Sequence, residues 1–302
     1  MAQSGEKGRH RRVSRWWQRG LYAMSGRGRS ASEDTPRGGG GRDRSVVRDA
    51  GRERTPGVGE RRIGRAPAVS ASVMDGPRYA WRDLELDYER PRAAAHSPDT
   101  PDLGDGLRHC GSLERILHRQ WDAAYGPPSI ECVRAVESLA RLPERLKDLL
   151  AERLDGIYIG PGGVPDLDDM GYLRDAPLPS GRATWDICAG AYGDRKIVVG
   201  DRPSPTPDVM MHEVGHAIDD VDARPGEWVS DSPEFVRLYK RCEPLLVSSF
   251  HRQPGGLGRK EFFADAFAAI ASRQRPALVD MLGGDTRTAL EVMLFFNRRY
   301  GI

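Results

Sequence analysis

Cysteine is scarce and scattered in this chain: Cys110, Cys132, Cys188 and Cys242 are the four in 302 residues, and no two form a CxxC pair. That argues against a zinc site built from cysteine alone and leaves a disulfide open, because spacing cannot pair four separated thiols. No window approaches the roughly 18 consecutive apolar residues of a membrane-spanning helix. The basic N-terminal segment is not followed by the apolar run and small-residue site of a secretory signal. The Gly-rich "GPGGVPDLDDMG" (160–171) lacks the Lys-Ser/Thr of a phosphate-binding loop. Its alternating Asp166, Asp168 and Asp169 lack the closing glutamate of a calcium loop. The chain could be exported by a route without a visible leader or stay in the cytoplasm.

Charge is present but unevenly placed. Residues 1–65 hold 16 Arg and one Lys against seven acids, so a formal net charge of +2 conceals a basic tail on an acidic body. The tail is rich in Arg, Gly, Ser and Pro without apolar periodicity, which predicts disorder over 1–74. A linker follows over 75–106, and then one domain over 107–302, with a helical part (107–155) and a catalytic part (156–302). The arginines suit phosphate contact with nucleic acid. The plainer reading, a solvated tail or sequence ahead of a later start such as Met24 or Met74, is preferred, since basic composition alone is a weak motif.

Within the domain, "SLERILHRQWDAAYG" places Leu113, Ile116, Leu117 and Trp121 at helical spacing behind Ser112 as cap, and carries His118. Two further helices are expected near 129–141 and 143–155. "IYI" (157–159), "ATWDICA" (183–189) and "RKIVVG" (195–200) read as strands. Beyond them Thr206 can cap, Pro207 suits a first helical turn, and Asp208 suits its positive end.

That helix carries "MMHEVGHAIDD" (210–220). One turn apart on one face, His212 and His216 can both reach a single metal ion. Glu213 lies beside them without being a ligand, where a carboxylate can take a proton from a metal-bound water. This is the HExxH arrangement of zinc peptidases, which needs a third ligand from elsewhere. In "RKEFFADAFAAIAS" (259–272), Glu261 and Asp265 stand four apart inside an apolar helix, and buried charges there require partners. A metal ion would satisfy Glu261, and a ligand histidine's ring N–H would satisfy Asp265. Phe235, Leu238 and Tyr239 behind Ser232-Pro233, and Leu290, Met293, Leu294 and Phe296 near the C-terminus, are expected to be core.

"HEVGHAIDD" followed by "EFFADAFA" resembles the catalytic domain of the anthrax lethal factor family of glutamate-zincins, which includes the Pro-Pro endopeptidases. The likeness spans about 110–300 and is sharpest in those two motifs. It implies an α+β zincin-like fold, a mixed sheet over an active-site helix, one Zn2+ per chain and a protein or peptide substrate. Carried over, His212, His216 and Glu261 match the ligands, Glu213 the general base and Asp265 the supporting acid. The family's oxyanion-stabilising tyrosine is missing, since Pro254 stands seven before Glu261. His251 and Arg252 are the nearest donors, with His251 taken as the candidate; its plainer reading is a mobile loop residue. The Trp185 and Tyr192 segment would line the cleft beside extended substrate, or equally its aromatic residues are core.

The expected function is therefore zinc-dependent endopeptidase activity. The alternatives are a zinc-binding interaction or regulatory module without turnover, and a nucleic-acid-associated protein acting through its tail.

Overall fold

The computed structural model describes residues 90–178, 184–204 and 206–302. The basic tail and the first half of the linker lie outside these residues.

Four short strands form one mixed sheet: β1 (Leu117–Arg119), β2 (Gly156–Ile159), β3 (Gly190–Gly193) and β4 (Lys196–Val199). Their spatial order is β1-β2-β4-β3, with β1, β2 and β4 parallel and β3 antiparallel at the edge. The β3–β4 connection is two residues long, and both Asp194 (φ 44) and Arg195 (φ 64) adopt positive φ, the geometry that matches a tight hairpin to strand twist.

Period-two alternation separates the sheet's faces. Ile157, Ile159, Tyr192, Ile197 and Val199 enter the main core with the helices. Ala191 and Val198 point the other way, into a smaller core closed by Val164, Leu167, Met170, Leu173, Leu178, Trp185 and Cys188.

Two helices connect β1 to β2. α1 (Ile130–Ala140) is capped by Ser129, and α2 (Glu144–Arg153) starts after Pro143 and buries Leu146 and Leu150. After β4 comes α3 (Val209–Val221), followed by α4 (Pro233–Cys242), α5 (Leu257–Ala271), α6 (Arg275–Met281) and α7 (Thr286–Tyr300). Ser232 and Pro233 open α4 as their chemistry predicts, with Ser232 Oγ accepting from the Phe235 amide at 3.2 Å.

The central element is α5, which is buried on nearly every side, as an apolar helix without a polar face must be. One flank carries Phe263 and Phe267, whose rings lie 4.9 and 6.0 Å from Phe296 of α7. Phe235 of α4 joins them, 5.0 Å from Phe263. Fully burying each such ring contributes about 1.5–3 kcal/mol. Together Phe262, Phe263 and Phe267, all 0% exposed, outweigh the several kcal/mol that desolvating one carboxylate costs, so the helix can carry Glu261 on its opposite flank.

Several expectations are corrected. Residues 112–126 are not a helix but a 3-10 turn (Gly111–Arg115), then β1, then a second 3-10 turn (Ala123–Tyr125). Leu117 and Arg119 alternate inward, and buried Arg119 is satisfied by Glu114 and by the carbonyls of Gly106 and Arg108. Ser112 caps nothing, and His118 sits on a strand, stacked 4.6 Å from Tyr158. The expected strand at 183–189 contains a 3-10 turn (Trp185–Ile187), and the strand begins only at Gly190. In α7 the buried residues are Ala289, Val292, Phe295, Phe296 and Tyr300, while Leu290 (58%) and Leu294 (48%) face solvent.

Candidate metal centre

The motif helix α3 is capped by Asp208 rather than Thr206: its Oδ1 accepts from the Met211 amide at 3.0 Å. The other oxygen accepts from Ser138 Oγ of α1 (2.8 Å) and Ser272 Oγ just beyond α5 (2.6 Å). One side chain therefore ties the start of α3 to both neighbouring helices.

Crossing at Gly215, α3 lies directly against α5. A Cβ built on Gly215 would fall 2.8 Å from the Cα of Ala264, so only hydrogen permits the approach. It brings Glu261 and Asp265, one turn apart on α5, up to His212 and His216, one turn apart on α3.

Three buried atoms converge. His212 Nε2 and His216 Nε2 are 3.0 Å apart, and Glu261 Oε2 lies 3.5 and 3.4 Å from them respectively. Ligands about 2.0–2.1 Å from a tetrahedral zinc ion stand roughly 3.3 Å from one another, so this triangle has the right size for one face of such a site. Charge points the same way. His212 Nδ1 faces Asp265 Oδ1 at 2.7 Å and donates to it, so when a metal ion displaces the proton from Nε2 the lone pair left there is aimed into the triangle. A proton on His216 would satisfy the edge between the histidines, yet Glu261 Oε2 has no hydrogen-bond partner among the described residues. A divalent cation would satisfy all three atoms. No other group of three or more His, Cys, Asp or Glu side chains is arranged to hold a metal ion among the described residues.

Electrostatics follow from burial and these neighbours. Burial works against a protonated His212, but the Asp265 carboxylate outweighs it and lifts the imidazole well above its ordinary value. Burial lowers His216. For Glu261 burial favours the neutral acid, and the two histidines reverse this and pull the carboxyl down. Asp265 is likewise held far below the carboxylate range against burial, by His212 and then His251.

Glu213 is wholly buried, and burial pushes its carboxyl up to about 8. Neither of its oxygens has a hydrogen-bond partner among the described residues. It faces the edge strand: a Cβ on Gly190 of β3 would lie 3.0 Å from Glu213 Oε1. The carboxylate thus occupies the gap between the motif helix and the sheet edge.

His251 belongs to a 3-10 turn (Ser249–Arg252) and is 3% exposed. Its Nε2 lies 2.7 Å from Asp265 Oδ2, so the nitrogen proposed as an oxyanion donor is already engaged. Arg252 binds the Leu246 carbonyl instead. Of the aromatic pair expected to line the cleft, Tyr192 is on β3 and donates its hydroxyl to Asp220 at 2.7 Å, whereas Trp185 packs in the smaller core. Gly190 and the Gly215–Ala264 contact escaped sequence reasoning. A glycine inside a helical HExxH was the available signal for the second.

No family model matches the chain, and no curated protein does. Among solved structures the chain is similar to the PRO-PRO endopeptidase from Paenibacillus alvei, with 18% identity, a TM-score of 0.44, and coverage of 62% of this chain and 100% of that one.

Proposed function

We propose that this chain is a zinc-dependent endopeptidase of zincin-like fold. The supporting observation is the convergence of His212 Nε2, His216 Nε2 and Glu261 Oε2 within 3.5 Å of one another, beside the unpartnered carboxylate of Glu213. These three side chains would hold the ion, and Asp265 fixes the tautomer of His212 so that its Nε2 lone pair is free to bind. Zinc in that position supplies Lewis acidity, polarising a peptide carbonyl and making water acidic enough to deprotonate near neutrality.

The remaining work belongs to the chain. With a divalent cation beside it favouring the ionised form against burial, Glu213 takes the proton of the attacking water and returns it to the leaving amine nitrogen. Its position between α3 and β3 suits a substrate laid along the edge strand. There the outer side of Gly190–Gly193 offers main-chain groups to an extended peptide by strand addition. Glycine at 190 keeps that approach open in front of the base.

A second reading, a zinc-bound module without turnover, is favoured by one observation: His251 Nε2 is committed to Asp265, which removes the candidate replacement for the family's tyrosine. The two separate on one experiment. Purified chain is analysed for zinc and assayed on a peptide library, as wild type and as Glu213→Gln. One zinc per chain in both proteins, with cleavage in wild type alone, is the expected result. Zinc without cleavage in either supports the inert module. Absence of zinc from metal-replete protein overturns both readings.

A further inference from the structure

His251 is buried, polar and outside every role assigned above. Its ring is held on all sides. It meets Phe262 edge-on at 5.9 Å and Phe250 at 5.7 Å, and its carbonyl accepts the Tyr239 hydroxyl at 2.5 Å. Gly258 leaves the space that this carbonyl occupies, since a Cβ there would collide with it. The imidazole is thus packed between two aromatic rings, and its backbone is tied to α4 through Tyr239.

What the ring touches is Asp265. The two oxygens of that carboxylate have separate partners: Oδ1 faces His212 Nδ1 and Oδ2 faces His251 Nε2, each at 2.7 Å. The Asp265 side chain is 23% exposed, so with His212 as its only donor it could rotate and share its oxygens with water. A second donor on the opposite oxygen removes that freedom. Because the carboxylate accepts on this side, His251 carries its proton on Nε2.

We propose that His251 is a positioning residue of the metal centre, which through Asp265 fixes the ring plane of His212 and the direction of its Nε2 lone pair. This rests on the zinc reading given above and extends it by one link. The orienting chain runs His251, Asp265, His212 and joins the 249–252 turn, α5 and α3. It also accounts for a histidine at 251 that does not serve the oxyanion.

The test measures zinc affinity of the full chain by competition with a chromophoric chelator. Asp265→Ala is expected to weaken binding about 10–100-fold, the usual cost of losing a ligand's hydrogen-bond partner, and His251→Leu about tenfold, because it acts through Asp265. His251→Leu should add nothing in the Asp265→Ala background, whereas His251→Gln, which still offers an N–H at that reach, should stay within about threefold of wild type. A role in packing alone predicts the reverse on both counts: an independent loss in the double variant, and as large a loss in His251→Gln as in His251→Leu. Either result overturns the proposal. Thermal unfolding of the metal-free proteins reports whether His251→Leu folds. If it does not, His251→Asn, whose amide falls short of Asp265, replaces it with the same expected losses. Tight zinc binding unchanged in His251→Leu sinks this inference alone; wild type that takes up no zinc sinks it together with the peptidase reading.

Discussion

Gly215 of the motif helix touches the backbone of Ala264: a Cβ at 215 would stand 2.8 Å from the Ala264 Cα and 3.0 Å from its carbonyl oxygen. The two helices are as close there as backbones allow, and the separation of the ligand pairs depends on it. Gly→Ala in an ordinary helix interior stabilises by about 1 kcal/mol. Here the sign should reverse, because neither contacting atom is a flexible side chain that could yield. Gly215→Ala is expected to lower unfolding free energy by about 1–3 kcal/mol, the cost of overpacking. It should also weaken zinc binding, as Glu261 is pushed from the histidines. A denaturant midpoint at or above that of wild type would contradict this.

Gly190 is also crowded, but by side chains instead of backbone. The added Cβ would lie 2.6 Å from Val209 Cγ1 and 3.0 Å from Glu213 Oε1, shifting the carboxylate by a few tenths of an ångström without touching the three converging atoms. If Glu213 is the base, Gly190→Ala should reduce kcat by at least about tenfold, a fraction of the 10²–10⁴ that general-base catalysis contributes. Zinc content should remain at one per chain. Equal loss of metal and activity would place Gly190 in the scaffold of the metal site instead.

What could be read in the sequence was what a single helix enforces. Three residues between His212 and His216, and three between Glu261 and Asp265, place each pair on one face whatever the rest of the chain does. The meeting of the two pairs is tertiary, and it could be expected only because buried charges need partners. Where long-range contacts decide, local pattern misled. Leu113, Ile116, Leu117 and Trp121 fit helical spacing, yet Arg119 finds its partners in the carbonyls of Gly106 and Arg108 and the stretch becomes a turn and a strand. Leu290 and Leu294 also fit a stripe, but Phe295 and Phe296 are the ones whose rings reach Phe263 of α5. His251 lies fourteen residues before Asp265 with no periodic relation to it, so nothing local links the pair.

Asp219 provides a pH test away from the ligands. It is fully buried, accepts from the Ser230 amide at 2.6 Å and from Ser230 Oγ at 2.7 Å, and burial raises its carboxyl to about 7. A carboxyl whose folded value is raised binds its proton more tightly in the folded state than in the unfolded one. Its contribution to stability is therefore full below the unfolded value of 3.8 and is lost as pH rises through about 7. Asp219→Asn keeps the acceptor for the Ser230 amide and removes the titration. Urea midpoints of metal-free protein should fall more steeply for wild type than for the variant between pH 4 and about 7. Parallel curves would show that Asp219 does not titrate in that window.

The Asp208 knot makes the last prediction, and it separates stability from chemistry. Its carboxylate caps α3 through Met211 and accepts hydroxyls from Ser138 and Ser272, which lie 70 residues before it and 64 after it. Losing an N-cap costs about 0.5–2 kcal/mol, and each hydroxyl bond to a charged acceptor contributes about 1.5–3 kcal/mol. Part of the latter is recovered, because both serines can turn to water or backbone once the carboxylate is gone. Asp208→Ala should therefore destabilise the fold by about 2–4 kcal/mol, and Asp208→Asn, which keeps one acceptor for the cap, by roughly half as much. Neither change reaches His212 or Glu261 directly, so with saturating zinc at low temperature kcat should stay within about twofold of wild type while the thermal midpoint drops. A variant of unchanged stability would show that the three-helix junction is held by packing, with Asp208 incidental to it.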